Sequence, residues 1–64
     1  MNTHVMQIIV DETAQESLAF LQRLQSLGEV ERPAEGIYIV DGPENLIMKL
    51  TDQFPNAVIK AETV

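Results

Sequence analysis

Apolar residues follow one order along this chain: an apolar run, an amphipathic stretch, a weak polar run, a second apolar run, a second amphipathic stretch and a final apolar run. That order predicts strand, helix, strand, strand, helix, strand. From His4 to Val10 the side chains alternate, with Met6, Ile8 and Val10 on one face and Val5, Gln7 and Ile9 on the other. Both faces are largely apolar, which predicts a strand in the middle of a sheet, one face under helices and the other covered or left open. Thr13-Ala14-Gln15-Glu16 matches a capping box, so a helix is expected over residues 14 to 27. Leu18, Leu21 and Leu24 draw its apolar stripe, with Ala14, Phe20 and Leu27 at the margins. Gly28 stands where a left-handed C-terminal cap is expected.

Residues 29 to 34 carry one clear hydrophobe, Val30, and contain Pro33, which cannot donate to a ladder; they predict a short edge strand. Pro33-Ala34-Glu35-Gly36 turns the chain into Ile37-Tyr38-Ile39-Val40, the second candidate for a central strand. Leu46, Ile47, Leu50 and Phe54 then share a helical arc from which Met48 points away. Pro43 suits the first turn of that helix and Glu44 its positive end. Pro55-Asn56 ends it, and residues 57 to 63 form a last strand with Val58 and Ile59 on opposite faces. The two halves repeat strand, helix, strand. With right-handed crossovers this is an α+β chain of the ferredoxin-like split βαβ type (βαββαβ): a four-stranded antiparallel sheet with two helices on one face, one domain over residues 1 to 64.

Size and charge narrow the functions. A chain of 64 residues removes only about 60% of its unfolded surface from water, so its core is thin. There is no cysteine, hence no disulfide and no thiolate metal site. Ten acidic against four basic residues give a net charge of −6, which opposes the phosphate backbone of nucleic acid. Arg23, Arg32, Lys49 and Lys60 are scattered, so an anionic membrane surface is no better served. No apolar run approaches the ~20 residues that span a bilayer, and no signal-peptide pattern opens the chain. The expected location is the cytoplasm.

Candidate chemistry is sparse. His4 is a lone imidazole, and a catalytic base needs a positioned reactant and a group to orient it. Asp11, Glu12 and Asp41 lack the alternate ligand spacing of calcium loops and are read as caps and turn charges. Gly42 sits between a strand and a helix, but one glycine without a following lysine is no phosphate loop. Ser17 and Ser26 have no histidine at a plausible spacing. No catalytic, cofactor-binding or metal-ligating residue is assigned, and the chain is read as a non-enzyme. Of Met1, Met6 and Met48, Met6 is expected in the core and Met48 on the surface.

The feature that points outward is the sheet face opposite the helices. If Met6, Ile8 and Val10 turn inward, Val5, Gln7 and Ile9 remain outside, together with either Ile37 and Ile39 or Tyr38 and Val40. An apolar patch of that kind marks an interface. The partner-binding residues are taken as Val5, Gln7, Ile9, Tyr38, Val40 and Glu62.

Gly28-Glu29-Val30 after a helix, Gly36-Ile37-Tyr38-Ile39-Val40, Leu46 and Leu50 in a helix, and Phe54-Pro55-Asn56 leading to Val58-Ile59-Lys60-Ala61-Glu62 resemble the propeptides of subtilisin-like serine proteases and their free-standing inhibitor relatives. The resemblance spans nearly the whole chain and rests on hydrophobic spacing. It implies a domain that packs its open sheet face on two helices of the protease, as inhibitor or folding chaperone, with Glu62 matching the first carboxylate that caps those helices. Where the family tends to place a second acid, this chain has Thr63 and Val64. An alternative of the same fold is similar to ACT domains, homodimeric ligand-sensing modules; Asp11-Glu12-Thr13 lacks the glycine usual at their effector loop. The partner is thus expected to be another protein or a second copy of the chain.

Overall fold

The computed structural model describes residues 3–64, so Met1 lies outside the described residues. The elements are β1 (His4–Val10), α1 (Ser17–Leu27), β2 (Glu29–Ala34), β3 (Ile37–Gly42), α2 (Glu44–Gln53) and β4 (Val58–Thr63). The strands form one four-stranded sheet in the order β2-β3-β1-β4, every neighbouring pair antiparallel. The two runs that are apolar on both faces, β1 and β3, hold the inner places. The polar run with Pro33 holds an edge, where a missing N–H costs no ladder bond.

Register decides which side chains enter the core. Met6 pairs with Val40 and Ile8 with Tyr38, and directly opposed residues share a face of the sheet. The helix-side layer is therefore Met6, Ile8, Val10, Tyr38 and Val40, closed by Phe20 and Leu24 of α1, Ile47 and Leu50 of α2, and Ala57. This corrects the expectation for two partner-binding residues. Tyr38 and Val40 are only 7% and 0% exposed and belong to the core. Ile37 and Ile39 take the open face instead. Met6 is buried and Met48 exposed, as their positions predict.

The first helix starts later than the capping box implies. The Thr13 hydroxyl and N–H both donate to Asp11 Oδ1, at 2.6 and 3.0 Å, so Thr13 is not free to cap. Turn bonds from Ala14 N–H to Asp11 O and from Ser17 N–H to Ala14 O, 3.0 and 3.1 Å, occupy the stretch assigned to the first helical turn. Glu16 holds the N-cap position without a side-chain cap bond. One of its carboxylate oxygens is buried without a partner among the described residues. The buried stripe is also rotated: Phe20 and Leu24 are at its centre, while Leu18 is 67% exposed. Bulk decides this, since the Phe20 and Phe54 rings pack edge to face, centroids 5.7 Å apart at 64°, and an aromatic ring buries more area than a leucine.

Gly28 is not a left-handed cap. Its backbone is extended (φ 177°, ψ −174°), a conformation open to any residue. Glycine is needed for space: a Cβ there would lie 2.2 Å from the carbonyl oxygen of Asp41. Gly36, at φ +78°, makes the β2–β3 turn and is the position where a left-handed backbone calls for glycine. In α2, Pro43 precedes the first turn, which Glu44 opens. Ile47 and Leu50 face the core as expected, but Leu46 is exposed and Thr51 takes the buried place beside them. The Phe54 N–H closes the helix by donating to Thr51 O at 3.2 Å.

Candidate functional site

Alternation along the strands places a second set of side chains on the face away from the helices. Val5 lies opposite Asp41, Gln7 opposite Ile39 and Ile9 opposite Ile37. On one flank Glu29 and Glu31 stand opposite Asp41 and Ile39. On the other, Glu62 and Lys60 stand opposite Gln7 and Ile9. The result is an apolar strip of Val5, Ile9, Ile37 and Ile39, with Gln7 in it, bordered by carboxylates. Val5 is 41% exposed, and the three isoleucines are half-buried by their neighbours.

The border is unequal in charge. Lys60 Nζ lies 3.6 Å from Glu62 Oε2, so the β4 flank is balanced. Among the described residues, no cation comes within ion-pair distance of Glu29, Glu31 or Asp41. These three carboxylates, with Val5 and Ile39, line a shallow depression of about 250 Å³. Such a surface suits a partner that presents hydrophobic side chains beside cationic ones, because opposite potentials steer encounter and fix register.

No family model, curated protein or solved structure matches the chain. The functional reading therefore rests on this geometry and on the resemblance in spacing described above.

Of the residues expected to bind a partner, Val5, Gln7, Ile9 and Glu62 lie together on the open face. Tyr38 and Val40 do not. The carboxylates of Glu29, Glu31 and Asp41 were missed as members of the face. Their only sequence signal is that they alternate with Val30 and Val40, which becomes readable once those two valines are known to point inward.

A second polar cluster lies on the helix side, at the mouth of the β1–α1 loop. Arg32 grips Glu12 with two parallel hydrogen bonds, Nε to Oε2 and Nη2 to Oε1, both 2.8 Å. The Tyr38 hydroxyl also donates to Glu12 Oε2. Arg32 and then Tyr38 hold the Glu12 carboxyl far below its usual range, at about 2. Burial, and then the Glu12 bond, push the Tyr38 hydroxyl up. The cluster pins the loop to the edge strand. Because the folded state lowers this carboxyl from 4.5 to about 2, its stabilisation is present above pH 4.5 and is lost as pH falls through that window. We expect the melting temperature to fall between those pH values in the native chain and to fall less steeply in Glu12→Gln. Parallel melts across that range check this; equal slopes would remove Glu12 as the cause.

The remaining candidates are tied into the fold. Asp11 accepts from Thr13, whose hydroxyl and then amide hold its carboxyl below the ordinary value. The Ser17 hydroxyl donates to Glu12 O and the Ser26 hydroxyl to Arg23 O, at 3.3 and 2.6 Å. His4 Nε2 lies 4.0 Å from Glu44 Oε2, and Glu44 Oε1 accepts from the Thr63 hydroxyl at 3.1 Å. Among the described residues, no three His, Asp or Glu side chains are grouped to hold a metal ion. No helix there is long and apolar enough to cross a membrane.

Proposed function

We propose that this chain is a non-catalytic protein-binding domain that docks through its open sheet face onto a basic, partly apolar surface of another protein. The observation that carries the reading is the pairing on one uncovered face of the strip Val5, Ile9, Ile37 and Ile39 with the unpaired carboxylates Glu29, Glu31 and Asp41. An isolated apolar strip on a small domain is already suggestive of an interface. The acidic border adds selectivity, since it disfavours acidic and nucleic-acid partners.

Within that reading, the partner class favoured by the resemblance is a subtilisin-like serine protease, with the chain acting as a propeptide-like inhibitor or folding chaperone. Two features support it. The carboxylate of Glu62 stands on the open face beside Gln7, where a helix N-terminus docked on the sheet is within reach of an acid. The connectivity also fits the ferredoxin-like split βαβ arrangement: β1 and β2 run in the same direction with β3 between them, and β3 and β4 do so with β1 between them.

Titration of the purified domain against subtilisin with a chromogenic peptide substrate tests the protease reading. Saturable inhibition at micromolar concentration is expected. Val5→Lys, which removes an apolar contact and sets a cation among the three border carboxylates, should weaken inhibition roughly tenfold while leaving the melting temperature unchanged. Absence of inhibition at micromolar domain removes the protease from the proposal.

A further inference from the structure

The two edges of the sheet differ, and the difference points to a second partner surface. The β2 edge carries Pro33 in a run with Glu29, Glu31 and Arg32, and its ladder to β3 is irregular between Glu31 and Ala34. Proline, charge and irregularity are the devices that keep a strand edge from pairing. The β4 edge, Val58–Thr63, has no proline, and its two charged residues are of opposite sign. Ile59 stands out from it, 68% exposed, as the extra residue where the register shifts between the Ile9 and Val10 partners.

The backbone groups that this edge offers follow from the register. The Val64 N–H donates to Val5 O at 3.0 Å. With Met6 opposite Thr63 and Ile8 opposite Ala61, the alternation of an antiparallel ladder assigns the N–H and C=O of Lys60, Glu62 and Val64 to β1. Those of Ala61 and Thr63 point to the open side. Antiparallel pairing of β4 with the same strand of a second copy must therefore bring odd-numbered residues opposite odd-numbered ones.

Charge then selects among the allowed registers. A two-fold axis at Lys60 sets lysine against lysine, and an axis at Glu62 sets glutamate against glutamate; like charges directly opposed are destabilising. An axis at Ala61 sets Lys60 of each copy against Glu62 of the other, twice, on the open face, in the close non-hydrogen-bonded positions where side chains interact most. The small Ala61 side chains meet on the axis, and Ile59 lies opposite Thr63. We infer that this chain forms a symmetric homodimer by antiparallel β4–β4 pairing centred on Ala61, extending the sheet to eight strands. The two open faces then lie side by side as one surface. The inference does not rest on the docking proposal: its contact is the β4 backbone edge, and of the docking residues it uses Glu62 alone.

The pairing is short, so a weak, concentration-dependent dimer is expected. Sedimentation equilibrium of the purified chain from micromolar to millimolar concentration should show the mass rising from 7.2 kDa toward twice that value. Lys60→Glu and Glu62→Lys should each weaken association about tenfold, since two attractive pairs become two repulsive ones. The double variant Lys60→Glu/Glu62→Lys should restore it, a rescue that a merely structural role for either residue does not produce. Circular dichroism melts of each variant separate loss of pairing from loss of fold. A mass of 7.2 kDa throughout the range overturns the inference. So does a dimer indifferent to the single swaps, or one that the double swap fails to restore in a folded chain.

Discussion

Truncating Phe20 to alanine is expected to leave the domain largely unfolded at room temperature. Phe20 is fully buried and is the largest of the enclosed side chains. It is also where the layers meet: it joins the cluster of Met6, Ile8 and Val10 from α1 and packs edge to face with Phe54 just beyond α2. Removing a buried phenylalanine costs about 3–5 kcal/mol, because the transfer energy is lost and a void remains. In a chain this short a single core rarely supplies more than about 3–5 kcal/mol, so the loss matches the whole margin, and with no cysteine no cross-link limits the unfolded ensemble. Urea unfolding followed by far-ultraviolet circular dichroism checks the outcome. A midpoint within experimental error of the native chain would show that Phe20 is not the keystone described here.

The second large effect is expected at Gly28. Replacement by alanine adds a single methyl group, yet that carbon would lie 2.2 Å from Asp41 O and 3.1 Å from the Gly42 Cα, all backbone with no rotamer to yield. The opposing strand has the reciprocal constraint, since a Cβ on Gly42 would lie 2.9 Å from Leu27 O. Relief requires the first rung of the β2–β3 ladder, Glu29 opposite Asp41, to open. Overpacking costs about 1–3 kcal/mol, and contact with rigid main chain puts Gly28→Ala at the upper end of that range. Amide hydrogen exchange should localise the damage to the start of β2 and the end of β3. Uniformly faster exchange, or none, would contradict the close approach as the cause.

Much of the architecture was legible because strand and helix periods differ. The bounds of the first strand and of the edge strand follow from the pattern alone, and Pro33 marks the edge by chemistry rather than by statistics. What was illegible shares one physical origin, competition that no local pattern records. The Thr13 hydroxyl has two possible partners, the backbone of a nascent helix or the Asp11 carboxylate, and the nearer anion takes it. Gly28 looks like a cap because it follows a helix, while the contact that requires it comes from Asp41 on another strand. In Ile37-Tyr38-Ile39-Val40 every residue is fit for a core, so alternation cannot tell inside from outside. Only pairing with β1 settles that, and it sends Tyr38 and Val40 inward. The open face was accordingly half legible: Val5, Gln7, Ile9 and Glu62 were placed, whereas its acidic border depends on parity that register alone supplies. The link between Glu12 and Arg32 spans 20 residues and leaves no trace in the sequence.

The guarded outer strand, with Pro33 and its irregular ladder, also sets a limit on growth. A sheet with two receptive rims can recruit copies without end and polymerise into a fibre. With one rim refusing partners, association along the other would be self-terminating, because a pair joined there keeps no receptive rim for a third copy.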